Sequence, residues 1–481
     1  MRKTVTAILC FFLTMCCLTP VANACTTILV GGDASTDGSR IIGRTMDAGP
    51  LMPMQLVTVP AADGEGTWVF EDEVNGLKVE LPVKAYQYTA TRSFPSIHQG
   101  VNAESCVNSE GVCISATETI RTKDELVALD PFVKNGVAER SMPTLVIPYV
   151  STAREGVKLL ANWVERDGAA SAEAVIFADS SEIWYMEIYT AHQWAAMRMP
   201  EDCYAVIAND AILGRMDVSD TQNVMASKDI VELPQKAGLL CEVDGLPHLA
   251  MTYGPELRDY SQIRLWTGRR YFNPGTAGKY IPEQRYEAFV KPEKPIALAQ
   301  VLALSRDRME GTPYDANTSG TNKRPIGIDR TAQSHFLQIR GDKPTVYWLC
   351  LANPELSVYL PFYGNLTSVP DAYSLDCDGY NPDSAFWAYR SLASLGALNR
   401  ETYGAEVRKL WNETETKLIA GLDAMDAAYE ASGRSGDKAA ELFQEISDAA
   451  LADAHAMHDK LLTQLSADTI ESTINLGKDI P

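Results

Sequence analysis

Apolar and polar positions along this chain follow two different rhythms. Up to about residue 210, and again from 336 to 360, apolar residues gather in runs of four to seven broken by Gly, Asp, Asn and Ser. Runs of that length, bounded by turn residues, predict strands. The first two are Thr26–Val30 and Arg40–Arg44, joined through the turn-rich stretch Gly31-Gly-Asp33 to Asp37-Gly38, which predicts a hairpin at the start of the folded body. Val112–Ala116 predicts another strand. Ala174–Ala178, Ile183–Ile188, Trp194–Met197 and Tyr204–Ala208 follow at short spacing and predict one antiparallel sheet; Phe336–Arg340, Val346–Leu351 and Ser357–Leu360 add three more strands. Residues 60–82 are acidic and turn-rich and are expected to form a surface excursion.

The helical rhythm appears in two places. Thr152–Arg166 carries Val157, Leu159, Leu160 and Val164 with Gly168 as a stop, so it predicts a helix. From about Ser384 to Ser466 the chain turns rich in Ala, Leu, Glu and Lys at helical spacing, with a break near Ser432–Ser435, which predicts two or three long helices. Strands with few intervening helices, then terminal helices, indicate an α+β fold. The chain divides into residues 1–24, a body over 25–383 and a helical extension over 384–481.

The first segment reads as a secretory signal peptide. Arg2 and Lys3 precede the apolar stretch Thr4–Leu18, Pro20 breaks it, and Ala22-Asn-Ala24 offers small residues for cleavage. A membrane span needs about 20 apolar residues, so this stretch is too short to be a good anchor. Export to a periplasm or the extracellular space is expected, with signal peptidase as maturing partner. Cleavage there would leave Cys25 at the N-terminus. A lipid-modified Cys25 is the rival outcome, although Ala22 stands where lipoprotein signals usually carry Leu.

Composition narrows the function. With 46% apolar residues the chain is an ordinary globular protein. Without residues 1–24 it carries 40 basic against 63 acidic residues, a net −23, which argues against nucleic acid and anionic membrane surfaces as partners. Seven cysteines follow the leader: Cys25, Cys106, Cys113, Cys203, Cys241, Cys350 and Cys377. Disulfides are open to six of them in an oxidising compartment, but Cys113 and Cys350 lie in apolar runs and are expected as buried thiols. No Cys/His spacing resembles a metal site, and neither metal nor other cofactor is expected.

The chemistry centres on Cys25. An N-terminal cysteine joins a thiol of pKa about 8.5 to an α-amine of pKa about 7.7–8.0, a matched nucleophile and base. Arg44 would favour the thiolate, and Asp47, three residues on, would orient the amine. Asn108 and Asn209, each at a turn beside a strand, are candidate oxyanion donors. Arg264, in Tyr260-Ser-Gln-Ile-Arg-Leu-Trp266, is a further candidate.

Several segments carry a specific likeness: Cys25-Thr-Thr-Ile-Leu-Val-Gly31, Gly43-Arg-Thr-Met-Asp47, Asn108-Ser-Glu-Gly-Val-Cys-Ile-Ser-Ala-Thr-Glu118, Ala208-Asn-Asp210, Glu310-Gly-Thr-Pro-Tyr-Asp315 and Leu351-Ala-Asn-Pro-Glu-Leu-Ser-Val-Tyr-Leu-Pro-Phe-Tyr363. In this order they resemble the bacterial cysteine dipeptidases of the N-terminal-nucleophile hydrolases, related to penicillin V acylases and bile salt hydrolases. Thr45 and Ser109 depart from residues common in that family. The resemblance implies a four-layer αββα sandwich with an added helical segment, and a dipeptidase that forms a thioester on Cys25. It implies supporting roles for Arg44 and Asp47, oxyanion roles for Asn108 and Asn209, an active-site role for Arg264, and small peptides as substrates. The rival within the superfamily is an N-acyl amide hydrolase with a more apolar pocket; outside it stands a non-catalytic lipid-anchored protein. Self-association is left open.

Overall fold

The computed structural model describes residues 24–93, 103–117, 120–318, 320–376 and 379–478. The leader therefore lies outside the described residues up to position 23, as do Glu118 of the likeness segments and Cys377.

The strands in chain order are β1 Ala24–Val30, β2 Arg40–Asp47, β3 Met54–Val59, β4 Thr67–Glu71, β5 Lys78–Pro82, β6 Tyr88–Ser93, β7 Ala103–Asn108, β8 Cys113–Thr117, β9 Glu173–Ala178, β10 Ile183–Ile188, β11 Trp194–Arg198, β12 Tyr204–Ile207, β13 Val224–Ala226, β14 Glu242–Val243, β15 Leu246–Pro247, β16 Gln333–Ile339, β17 Val346–Leu351 and β18 Leu360–Tyr363. They build a six-stranded sheet, ordered β12-β1-β2-β16-β17-β18, and an eight-stranded sheet, ordered β13-β11-β10-β9-β8-β7-β6-β3. Neighbouring strands in both are antiparallel. The fold is α+β.

Two sequence expectations change here. The four closely spaced strands after residue 173 do not share one sheet. Three pair in the eight-stranded sheet, while Tyr204–Ile207 crosses over and pairs with β1. Tyr204 meets Phe272 edge-on in the core there, and its hydroxyl donates to Asn273. The third late strand also lies further on than expected: Pro354–Leu356 is a short 3₁₀ turn, and pairing with β17 runs over Leu360–Tyr363. Within the excursion at 60–82, β4 and β5 pair as a hairpin.

The continuous apolar runs are explained by burial on both faces. Along β9 and β10, Ala174, Ile176, Ala178 and Tyr185 enter one hydrophobic core, while Val175, Phe177, Trp184 and Met186 enter another. Strands covered on both sides need no polar alternation. The two sheets face each other through polar cross-contacts: Ser115 of β8 to His335 of β16 at 3.0 Å, and Tyr347 of β17 to Thr91 of β6 at 3.0 Å.

Helices pack against strands of both large sheets. Helix α1, Ala153–Asp167, lays Val157, Leu160, Ala161 and Val164 on the second core. It starts at Thr152, whose hydroxyl accepts from the Glu155 N–H at 3.1 Å. It stops at Gly168, whose φ of 75° suits glycine. Helix α2, Asp259–Phe272, packs Gly268 against Val206 of β12. The C-terminal region forms α3 Ala385–Leu398, α4 Ala405–Ala431 and α5 Gly436–Lys478, with the break at residues 432–435. Among the described residues no helix is long and apolar enough to cross a membrane.

Candidate active site

Cys25 lies on β1, between β12 and β2 in the six-stranded sheet, where β2 pairs Cys25 with Met46 and Ala24 with Asp47. On the other side β12 pairs Thr27 with Ile207. Asn209 lies two residues past the end of β12. The pairing of β1 with β2 sets Cys25, Arg44 and Asp47 close together. Gly43 makes the β2–β16 contact close enough for this: a Cβ there would stand 2.7 Å from the Phe336 Cα.

Cys25 is buried and lines a cavity of about 270 Å³ together with Arg44, Asp47, Glu104, Glu139 and Glu173. Arg44 Nη1 donates to the Cys25 Sγ at 2.9 Å. The same nitrogen lies 2.9 Å from Glu139 Oε1, and Nη2 donates to Glu104 across the sheets. Burial works against the Arg44 charge, but Cys25, Glu139 and Glu104 outweigh it and hold the guanidinium protonated. Arg44 is thus a fixed cation at the sulfur.

Arg264 reaches Cys25 from α2. Its Nη1 donates to the Cys25 carbonyl at 2.6 Å and to Thr26 Oγ1 at 2.9 Å; its Nη2 donates to Asn209 Oδ1 at 2.5 Å. Its Nε takes the Tyr260 carbonyl at 3.1 Å, and the Tyr260 ring lies 4.8 Å from the guanidinium carbon. Each of these partners is neutral. Burial, with Arg324 nearby, pulls the Arg264 pKa down to about 9. A buried cation whose described hydrogen-bond partners are all neutral favours negative charge beside Cys25. By occupying Oδ1, Arg264 also turns the Asn209 Nδ2 the other way, and this buried donor has no hydrogen-bond partner among the described residues.

Asp47 is buried and fixed by Arg324, which donates to Oδ2, and by Thr331 Oγ1 at 2.6 Å from Oδ1. The backbone carbonyl of Thr331 in turn accepts from Arg390 of α3, so the C-terminal helices brace this carboxylate. Asp47 raises the Arg324 pKa against its burial.

Asn108 does not join this group. It ends β7, and its amide is used within the chain. Nδ2 donates to the carbonyls of Ile147 and Val150, both at 2.8 Å, and Oδ1 accepts from Glu110 N at 3.1 Å and Val112 N at 2.9 Å. It lines a separate cavity of about 240 Å³ with Asp342 and Lys343. The expected oxyanion role is therefore corrected: Asn108 shapes a turn.

Sequence reasoning missed Glu104, Glu139, Glu173, Arg324 and Thr331. Glu104 and Glu173 did leave a trace, since one is second in β7 and the other opens β9, both buried strands where a charge needs a reason. Arg324 left none, because it is 277 residues from Asp47. Cys106, Cys113, Cys203, Cys241 and Cys350 form no disulfide among the described residues, and Cys377 lies outside them. Burial pushes the Cys106 and Cys113 thiols well up and Cys350 up to about 12, so these thiols stay protonated and weakly nucleophilic.

Residues 24–413 match the model of peptidase family C69. "Probable dipeptidase B" of Streptococcus pyogenes serotype M1 is 32% identical over 489 residues, covering 97% of this chain and 94% of the relative. "Probable dipeptidase" of Latilactobacillus sakei is 33% identical over 387 residues, covering 78% and 81%. "Probable dipeptidase" of Salmonella dublin is 34% identical over 383 residues, covering 74% and 87%. Among solved structures, a mutant of conjugated bile acid hydrolase from Clostridium perfringens aligns with a TM-score of 0.29 at 10% identity, over 70% of this chain and 92% of that one. The family match spans both large sheets and ends within α4, and with relatives above 30% identity it shows that this chain belongs to peptidase family C69.

Proposed function

We propose that this protein is an exported dipeptidase, activated by removal of residues 1–24, in which Cys25 is both nucleophile and base. The observation that carries the reading is the pairing of β1 with β2. It sets Ala24 opposite Asp47 while the Cys25 Sγ meets Arg44 in a cavity. In the uncut chain the Cys25 nitrogen is an amide and takes no proton. Cleavage after Ala24 turns it into an amine one residue from Asp47's partner position.

In this reading the thiol proton passes to the α-amine, with Arg44 and Arg264 favouring the sulfur anion. The sulfur attacks the peptide carbonyl, and the Asn209 Nδ2 donates to the oxyanion. The C–N bond breaks as the α-ammonium protonates the leaving amine, leaving a thioester on Cys25. Water, deprotonated by the same amine, releases the acid and the proton returns to sulfur. The family's dipeptidase names and the small cavity support dipeptides as substrates. An N-acyl amide hydrolase would need an apolar acyl pocket, which Glu104, Glu139 and Glu173 oppose. The facing sheets and the helices packed against them support the four-layer αββα arrangement.

The test is intact mass and N-terminal sequence of the exported protein, together with dipeptide hydrolysis by wild type and Cys25→Ala. A start at unmodified Cys25, with hydrolysis abolished in the variant, is expected. A lipid on the thiol, a different start or an active Cys25→Ala overturns the mechanism.

A further inference from the structure

Beside the Cys25 cavity lies a groove of about 720 Å³, and the two meet at Ser171, which lines both. Ile120, Val127, Phe132, Ala172 and Leu239 give the groove apolar walls. Ile120 and Ala172 are buried, whereas Phe132 and Leu239 are only partly buried where they pack on the core, so apolar surface is left in the groove. Three polar residues of the wall spend their hydrogen bonds within the chain. Arg121 Nη2 donates to Asp210 Oδ1 at 3.1 Å and to the Glu256 carbonyl at 3.0 Å. Lys123 Nζ donates to the carbonyls of Met251 at 2.7 Å and Thr252 at 2.8 Å, and the Thr122 hydroxyl donates to the Tyr189 carbonyl at 2.5 Å. A cleft of this size with apolar walls is the usual form of a small-molecule site.

We infer that this groove takes one apolar side chain of the substrate dipeptide, which makes Phe132 and Leu239 specificity-determining residues. The inference rests on the dipeptidase reading above and names the substrate class that reading leaves open. Either Cα of a dipeptide lies within about 2.5 Å of the scissile carbonyl carbon. That carbon stands about 3–3.5 Å from Sγ at attack, so each side chain starts at the Cys25 cavity. The groove adjoins that cavity at Ser171 and gives a long apolar side chain a place to leave water. It also adjoins the oxyanion side, because Arg121 of its wall holds Asp210, the residue after Asn209. The two volumes divide the substrate by polarity. The cavity carries Arg44 and the glutamates and suits the peptide backbone, whereas the groove suits carbon. One groove meeting the cavity at one residue serves one side chain, so a large apolar residue should count at one position of the dipeptide.

The experiment measures kcat/KM of the mature wild type for Ala-Ala, Leu-Ala, Ala-Leu and N-hexanoyl-Ala, then repeats it with Phe132→Ala and Leu239→Ala. A buried carbon is worth about fourfold. Leu is therefore expected to exceed Ala by roughly tenfold to a hundredfold at one of the two positions. Each variant is expected to shrink that ratio at least about threefold. Because both rates of a ratio come from one preparation, a partly unfolded variant does not distort it. Wild type that gains from Leu at neither position, or equally at both, overturns the inference without any variant and leaves the dipeptidase reading in place. A ratio unchanged in both variants also overturns it. A wild type that cleaves N-hexanoyl-Ala and no dipeptide overturns the dipeptidase reading, and the side chain as occupant goes with it.

Discussion

Two asparagines flank strands in this molecule and do opposite work. Asn108 spends its whole amide on four backbone groups, whereas Asn209 is held by one oxygen and keeps its nitrogen open. Asn108→Ala is expected to cost about 3 kcal/mol or more, because buried backbone groups lose partners at roughly 1–3 kcal/mol each, while the folded fraction keeps its turnover number. Asn209→Ala is expected to cost less stability, since it unpairs only the Arg264 Nη2, and to lower kcat roughly 10²- to 10³-fold, as removal of an oxyanion donor does. Denaturant unfolding beside steady-state kinetics separates the two; matching signatures would sink the assignment. His335 offers a pH test. It is fully buried beside Ser115, Gln333 and Arg44, and burial, then the Arg44 charge, pushes its pKa well down. The unfolded chain takes up that proton near pH 6.5 and the folded one does not. Stability should therefore fall as pH drops below about 6.5, by up to about 1.4 kcal/mol per unit from this residue. Unfolding free energies of wild type and His335→Gln at pH 7 and pH 5 check this, and the variant should show the shallower decline.

At the scale of elements, β2 carries the site. It presents Arg44 and Asp47 from one strand, and its contact with β16 depends on Gly43. A Cβ at that position meets the His335 carbonyl and the Phe336 backbone, neither of which can rotate away. Gly43→Ala is therefore expected to cost roughly 3 kcal/mol through overpacking and to lower activity as well, because Arg44 follows directly. Thermal melts and dipeptide assays on one preparation measure both, and a variant as stable as wild type would refute the close-contact argument. Part of this level was legible in the chain. The helix at 153–167 announced itself through Val157, Leu160 and Val164 and a glycine stop, because a helix face is written within one turn. The membership of Tyr204–Ile207 was not, because a strand's local pattern is silent about which edge it will join.

Over the whole molecule, the C-terminal helices belong to the core that supports the site. Glu415 of α4 takes Arg306 at 2.5 Å and the Tyr359 N–H at 2.9 Å. Asp426 takes Arg340 at 2.7 and 2.9 Å and the Tyr363 hydroxyl at 2.8 Å. Phe443 of α5 packs tilted against Phe362 and edge-on against Tyr363 of β18. Ending the chain at residue 383 would expose Tyr359, Phe362, Tyr363 and Tyr373, at about 1.5–3 kcal/mol for a large apolar side chain. That sum rivals a typical domain stability of about 5–15 kcal/mol. The truncated chain is expected to lose its cooperative melt and aggregate, as circular dichroism and size-exclusion chromatography would show. A soluble, cooperatively melting 25–383 fragment would refute this dependence.

The sequence by itself determined the strand-rich body, the helical tail, the break near residue 432 and the chemistry available at Cys25, Arg44, Asp47, Asn209 and Arg264. These follow from short-range periodicity and from residue types set close to turns. Only the tertiary structure decided that Asn108 stands apart, that Arg324 holds Asp47 and that three glutamates line the cavity at Cys25. Those facts depend on side chains brought together from segments between 60 and 277 residues apart. Burial of apolar faces chose that arrangement, and no local pattern in the chain encodes it.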